Sequence, residues 1–193
     1  MKNMKKKLIE KDLIEIKKTT LDRQSAKFLK MQIDEVQLSD GSTAIREYIR
    51  HPGAALIIPE IKKGQILFVK QYRYPVKQIF LEFPAGKIDR GEAPLNTAHR
   101  ELKEEVGYVA KKMRYVTSIH PVIGYGDEVI HIYLAQGLTF VGASPDEGEF
   151  LVPQKMSLQT AMEKTKRHKI TDVKTQIALF WYEKITKGLW SLK

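Results

Sequence analysis

The feature that most limits what this chain can fold into is a single change of hydrophobic period. From Pro94 to Val106 the apolar residues Leu95, Ala98, Leu102 and Val106 recur at steps of three and four, the spacing of one helix face. Pro94 suits a first helical turn, and Gly107 suits the position just past the end. On either side the apolar residues form short runs. VQLSDGSTAIREYI reads as two strands around an Asp40-Gly41 turn, and residues 54–61 and 65–74 as two more. IFLEF (79–83) is a further strand, stopped by Pro84-Ala85-Gly86. Strands are expected again at 113–119, 129–135 and 149–152, the last after a polar loop over 142–148. Two helices close the chain, Leu158–Lys166 and one from 171 to about 185, with Ile177, Phe180 and Trp181 as a buried stripe in the second. One helix enclosed by strands, then more helices, predicts an α/β (α+β) fold: a mixed sheet sandwiched between helices, with an N-terminal β-strand arm.

Composition narrows the function classes. The chain has 193 residues, of which 42% are hydrophobic and 29% charged, which suits one globular domain. No apolar run approaches the roughly 20 residues that cross a bilayer. The start, MKNMKKKLIEKDLIEIKK, has acids where a signal peptide would be apolar, so a cytoplasmic protein is expected. With no cysteine, a metal has only oxygen or imidazole ligands. A net charge of +10 raises the class of a basic nucleic-acid-binding module. However, residues 1–20 carry a net +4 and residues 155–193 a net +6, so the interior of the chain is balanced and nucleic acid is a weak expectation.

The central helix bears the chemistry. Glu101 and Glu105 lie four apart on one face, with Glu104 alongside. Like charges so spaced cost a helix a few tenths of a kcal/mol per pair. Solvent relieves that cost, and so does a hard divalent cation such as Mg²⁺ or Mn²⁺. By itself this pattern is common on exposed helices.

The surrounding spacing is far less common. Gly86 is followed by five residues and Glu92, then seven residues and Arg100-Glu101-Leu102, then Lys103, Glu104-Glu105, Val106, Gly107 and Tyr108. The string GKIDRGEAPLNTAHRELKEEVGY resembles the box of the Nudix hydrolases, with Tyr108 where an aliphatic residue is more usual. The resemblance implies hydrolysis of a nucleoside diphosphate linked to another moiety, with divalent metal on the box helix. By position, Glu101 and Glu105 become the main metal ligands, with Glu104 beside them as ligand or catalytic carboxylate and the Ala85 carbonyl as a further ligand. Glu92 and Arg100 match positions that brace the loop-helix turn. Domain bounds follow: 1–52 as arm and strands, 53–193 as the Nudix domain.

The flanking strings FVKQYRYPV and LEFPAG resemble the ADP-ribose pyrophosphatase branch, which hydrolyses nucleoside-diphosphate sugars. In that branch Arg73 and Glu82 match substrate contacts: a planar fork for a diphosphate, and an acceptor for sugar hydroxyls. The string REYIRHPGAALIIP adds Arg46, Glu47, Arg50 and His51 as weaker candidates. The general base lies outside the box in this branch. In SPDEGEF the first choice is Glu149 and the second Glu147. One departure concerns a proline that the branch carries about fifteen residues beyond the box. Here that place is Ile123, and Pro121 stands two residues early, near Asp127 and Glu128.

The resemblance thus implies a metal-dependent pyrophosphohydrolase, with ADP-ribose cleaved to AMP and ribose 5-phosphate as the favoured reaction. GDP-mannose, a dinucleoside polyphosphate or capped RNA are the alternatives within the family. A homodimer joined through the N-terminal arm is implied as well.

Overall fold

The computed structural model describes residues 29–192, so the basic first twenty residues lie outside the described part. Nine strands and three helices follow in order among the described residues. Strands β1 (Lys30–Gln37) and β2 (Thr43–Arg50) form an antiparallel pair of their own. The Asp40 carboxylate closes their turn by accepting from the Ser42 N–H at 2.9 Å. The pair's register puts Met31 opposite Ile49 and Ile45 opposite Glu35, with Ile33 on the same face. Met31, Ile33 and Ile45 are 72%, 58% and 57% exposed, so this face is apolar and uncovered within the chain.

The main sheet has seven strands. β3 (Ala54–Lys62), β4 (Gln65–Arg73), β5 (Gln78–Glu82), β7 (Tyr108–Ile119) and β8 (Ile130–Phe140) run in the order β5-β4-β3-β8-β7. The short β6 (Ala85–Lys87) pairs with β3, and β9 (Leu151–Ser157) with β4. Only β3 and β8 run parallel; the other pairings are antiparallel, so the sheet is mixed, as expected.

Residues alternate between faces of a strand, and both faces of β3 are covered. Leu56 and Ile58, with Ile66 and Phe68 of β4, pack toward α2 (Leu158–Lys166) and α3 (Val173–Thr186). Ala55 and Ile57, with Leu67 and Val69, pack toward α1 (Pro94–Val106) through Ala98, Leu102 and Val106. That two-sided burial is why AALII reads as a continuous apolar run. Each fully buried Leu or Val is worth about 1.5–3 kcal/mol, so Leu102 and Val106 anchor the box helix firmly.

Several expectations need correction. Leu95 is 42% exposed and lies outside the α1 stripe, whose burial begins at Thr97 and Ala98. Phe180 is 44% exposed and leaves the expected stripe, whereas Ile177 and Trp181 pack partly buried against the core beside the fully buried Thr175, Ala178, Leu179 and Tyr182. The strand expected at 149–152 begins at Leu151 and runs on to Ser157, because its pairing with β4 sets its extent. Strands β7 and β8 are likewise longer than their apolar runs, since they pair with each other out to Tyr108 and Phe140.

Candidate active site

The loop before α1 and the helix face meet at one wall of a cleft of about 630 Å³. Glu101 and Glu105 line it although they are only 8% and 5% exposed. Two glycines make this geometry possible. A β-carbon at position 86 would lie 1.8 Å from Oε1 of Glu101, so only glycine leaves room for that carboxylate. Gly107 ends α1 at φ +76°, and a β-carbon there would meet the Ala143 nitrogen at 2.5 Å. The loop after β8 therefore presses directly on the helix end: Val141 N–H donates to the Gly107 carbonyl at 2.7 Å and Ser144 N–H to the Glu104 carbonyl at 3.0 Å.

Arg100 organises the acids. Its Nη1 donates to Glu101 Oε1 at 2.7 Å and to Glu104 Oε2 at 2.9 Å. Its Nη2 donates to Glu92 Oε2 at 3.1 Å and to the Lys87 carbonyl at 3.0 Å. These bonds, Glu92 first, hold the guanidinium well above its ordinary pKa. Glu92 also accepts from the Thr97 hydroxyl at 2.7 Å, which ties the loop to the first turn of the helix.

The two wall carboxylates resist ionisation. Burial, with the charges of Glu104 and Glu149 and against the pull of Arg100, pushes Glu101 up to about 6. Burial and then the charges of Glu101 and Glu149 raise Glu105 well above the ordinary range, although it accepts from the Ala85 N–H at 3.2 Å. Among the described residues no three acidic or histidine side chains stand together as a ready metal cluster, and Arg100 binds both Glu101 and Glu104. The donor set nonetheless fits a hard divalent cation. Two neighbouring buried carboxylates that repel each other are the groups such a charge would favour in ionised form.

The other candidates are distributed unevenly. Ala85, Arg73 and His51 line the cleft, as do Glu128 and Glu149. Glu149 is exposed at the rim, and burial followed by the Asp146 charge raises its pKa. Glu147 is exposed and outside the lining. Glu104 faces Arg100 and is not in the lining. Glu47 sits mid-strand opposite Ile33, Arg46 donates to the neighbouring Ile45 carbonyl at 3.0 Å, and Arg50 pairs with Asp127 at 2.9 Å; none of the three lines the cleft. Glu82 lies beneath the floor, 2% exposed, with both oxygens engaged by Arg73 at 2.8 and 2.7 Å. Burial would raise its pKa, but Arg73 and Lys174 outweigh it and hold the carboxyl below its usual range. Of the two places considered for a proline, Pro121 lines the cleft, while Ile123 is 83% exposed.

Sequence reasoning missed Lys87, Asp146, Asp172 and Lys174, all part of the lining. The Asp172 N-cap of α3, accepting from Thr175 N–H at 3.1 Å, has a legible local signature. Its position against β4 and β5 has none, because the contact spans the sheet.

Comparison with known proteins agrees with this geometry. The NUDIX domain pattern matches residues 50–175. An ADP-ribose pyrophosphatase from Bacillus subtilis (strain 168) is 34% identical over 181 residues, 93% of each chain. A methanol dehydrogenase activator from Bacillus methanolicus is 41% identical over 157 residues, 80% of this chain and 85% of that one. The crystal structure of an ADP compounds hydrolase superposes with a TM-score of 0.77 at 26% identity, covering 88% of this chain and 91% of that one. A sheet between helices, with an acidic box helix at a cleft, is the Nudix hydrolase arrangement, and this chain belongs to the Nudix family. Within it, the chain is a pyrophosphohydrolase of the ADP-ribose pyrophosphatase type.

Proposed function

We propose that this protein hydrolyses the pyrophosphate bond of ADP-ribose, giving AMP and ribose 5-phosphate, with Mg²⁺ or Mn²⁺ as cofactor. The observation that carries the reading is the pair Glu101 and Glu105, buried yet lining a cleft that also holds Arg73 and Glu149. Glu101, Glu105 and the Ala85 carbonyl would hold the metal, with Glu104 in reserve on the same turn. When bound, a divalent cation offsets phosphate charge and makes water more acidic.

The chain's own groups do the rest. Arg73 offers its remaining guanidinium donors to a phosphate oxygen, held in place by the two bonds to Glu82. Glu149, on the rim with a raised pKa, takes the proton from the attacking water. Arg100 fixes the rotamers of Glu101 and Glu104. Pro121 and His51 shape the far wall, where the sugar or base is received. The similarity to an ADP-ribose pyrophosphatase over 93% of the chain supports ADP-ribose over GDP-mannose.

The protein acts as a homodimer in this reading. The uncovered face of Met31, Ile33 and Ile45 supports a second copy there, and light scattering of wild type against Ile33→Glu tests it. Among the described residues no helix is long and apolar enough to cross a membrane; we place the enzyme in the cytoplasm.

The deciding experiment is a hydrolysis panel of ADP-ribose, GDP-mannose, dinucleoside polyphosphates and capped RNA with Mg²⁺, with products identified. The expected result is AMP and ribose 5-phosphate from ADP-ribose at the highest kcat/KM. GMP from GDP-mannose as the dominant product would overturn the substrate assignment.

A further inference from the structure

The cleft receives side chains from α3, which lies far from the box in sequence and packs on the opposite face of the sheet. Lys174 lines it from the first turn of that helix. Its ammonium donates to Glu82 Oε2 and to Asp172 Oδ1, the latter at 2.9 Å, and its side chain is 15% exposed. Glu82 is therefore shared: Arg73 binds both its oxygens and Lys174 one of them. Each cation keeps donors beyond these bonds, since an ammonium has three and a guanidinium five.

Three facts argue that the arrangement serves a ligand rather than the fold alone. A lysine in the first turn of a helix opposes the helix dipole, so that place is unfavourable unless something anionic offsets it. Asp172 Oδ1 offsets part of that charge, but the Lys174 ammonium and Nη2 of Arg73 still converge on the one oxygen Glu82 Oε2, where they repel each other and an anion in the cleft would relieve them. The turn carrying Lys174 is also held rigidly, because the buried Thr175 hydroxyl accepts from the Phe83 N–H at 3.0 Å. That bond locks α3 to the residue next to Glu82.

We propose that Lys174 is a further substrate-binding residue, forming with Arg73 a two-cation clamp on the phosphates of the substrate, with Glu82 as the buried positioning residue beneath both. The inference rests on the reading of the cleft as a pyrophosphate site. It also reassigns Glu82: a carboxylate with both oxygens engaged and 2% exposure holds cations and does not receive sugar hydroxyls.

The test uses the full chain with Mg²⁺ and ADP-ribose, and calorimetric titration of ADP-ribose without metal. In Lys174→Met, KM and the metal-free Kd should each rise about tenfold, the scale of one hydrogen bond to a charged group, with kcat within about threefold of wild type. Lys174→Arg should recover most of the affinity. Should the Met variant lose its cooperative unfolding transition, Lys174→Gln carries the same measurement, since its amide still donates to Glu82 but brings no charge. Unchanged KM and Kd overturn the proposal, as does a fall in kcat alone. A wild-type chain that neither binds nor cleaves ADP-ribose overturns the substrate reading instead, which separates the two failures.

Discussion

Gly86 lies directly beneath Glu101, so close that a β-carbon on the first would overlap a carboxylate oxygen of the second at 1.8 Å. The opening glycine of the box and its buried glutamate are thus one packing unit, although fifteen positions separate them. Gly86→Ala should displace Glu101 and lower kcat by about a hundredfold or more, as small displacements of catalytic groups do. Circular dichroism should stay native, because β6 is short and lies at the cleft rather than in the core. Wild-type turnover in this variant would contradict the close approach.

Glu105→Gln removes charge without removing a core contact. The expected outcome is a kcat lower by orders of magnitude, with the metal-free protein at least as stable as wild type, since burial and Glu101 already oppose the ionised form. Mg²⁺ should raise the unfolding midpoint of wild type and have a much smaller effect on the variant. Differential scanning calorimetry with and without Mg²⁺ reads both effects, and equal midpoint shifts would remove Glu105 from the ligand set.

Glu149 and Glu147 are separable because only Glu149 reaches the cleft. Glu149→Gln should lower kcat by about 10²–10⁴-fold with little change in KM, the usual range for loss of a general base. Glu147→Gln should be near wild type. A collapse of affinity in the first variant would make Glu149 a ligand or a contact instead of the base.

Glu82 gives a dependence on pH with a definite sign. Its folded pKa is held below the unfolded value, so its contribution is present above about pH 4.3 and is lost as pH falls through the folded value. At pH 7 Glu82→Gln should destabilise the fold by about 3 kcal/mol, the scale for breaking a buried ion pair. The gap between variant and wild type should narrow as pH falls below about 4.3 in urea titrations. A gap independent of pH would mean that packing, not charge, is what the substitution removes.

Much of the site is local, and local features were legible. The box helix runs from Pro94 to Val106 as its spacing predicts, because Leu102 and Val106 mark the buried face and Gly107 stops the helix. Glu101 and Glu105 share a face because a helix repeats every 3.6 residues. Elements whose limits depend on a partner were read less well. Strand β9 starts where β4 can pair with it and not where the apolar residues begin, and in α3 Phe180 stays exposed while Ala178, Leu179 and Tyr182 carry the core face.

Residue order alone therefore determined the family, the acidic helix and the layered sheet, since each depends on spacing within a few turns of chain. Only the tertiary structure decided that Glu82 is buried under two cations, that Pro121 and not residue 123 borders the cleft, and that Lys174 reaches Glu82 from 92 positions away. The reason is physical: an ion pair across a sheet depends on how the helices seat on opposite faces, and no short-range periodicity encodes that distance.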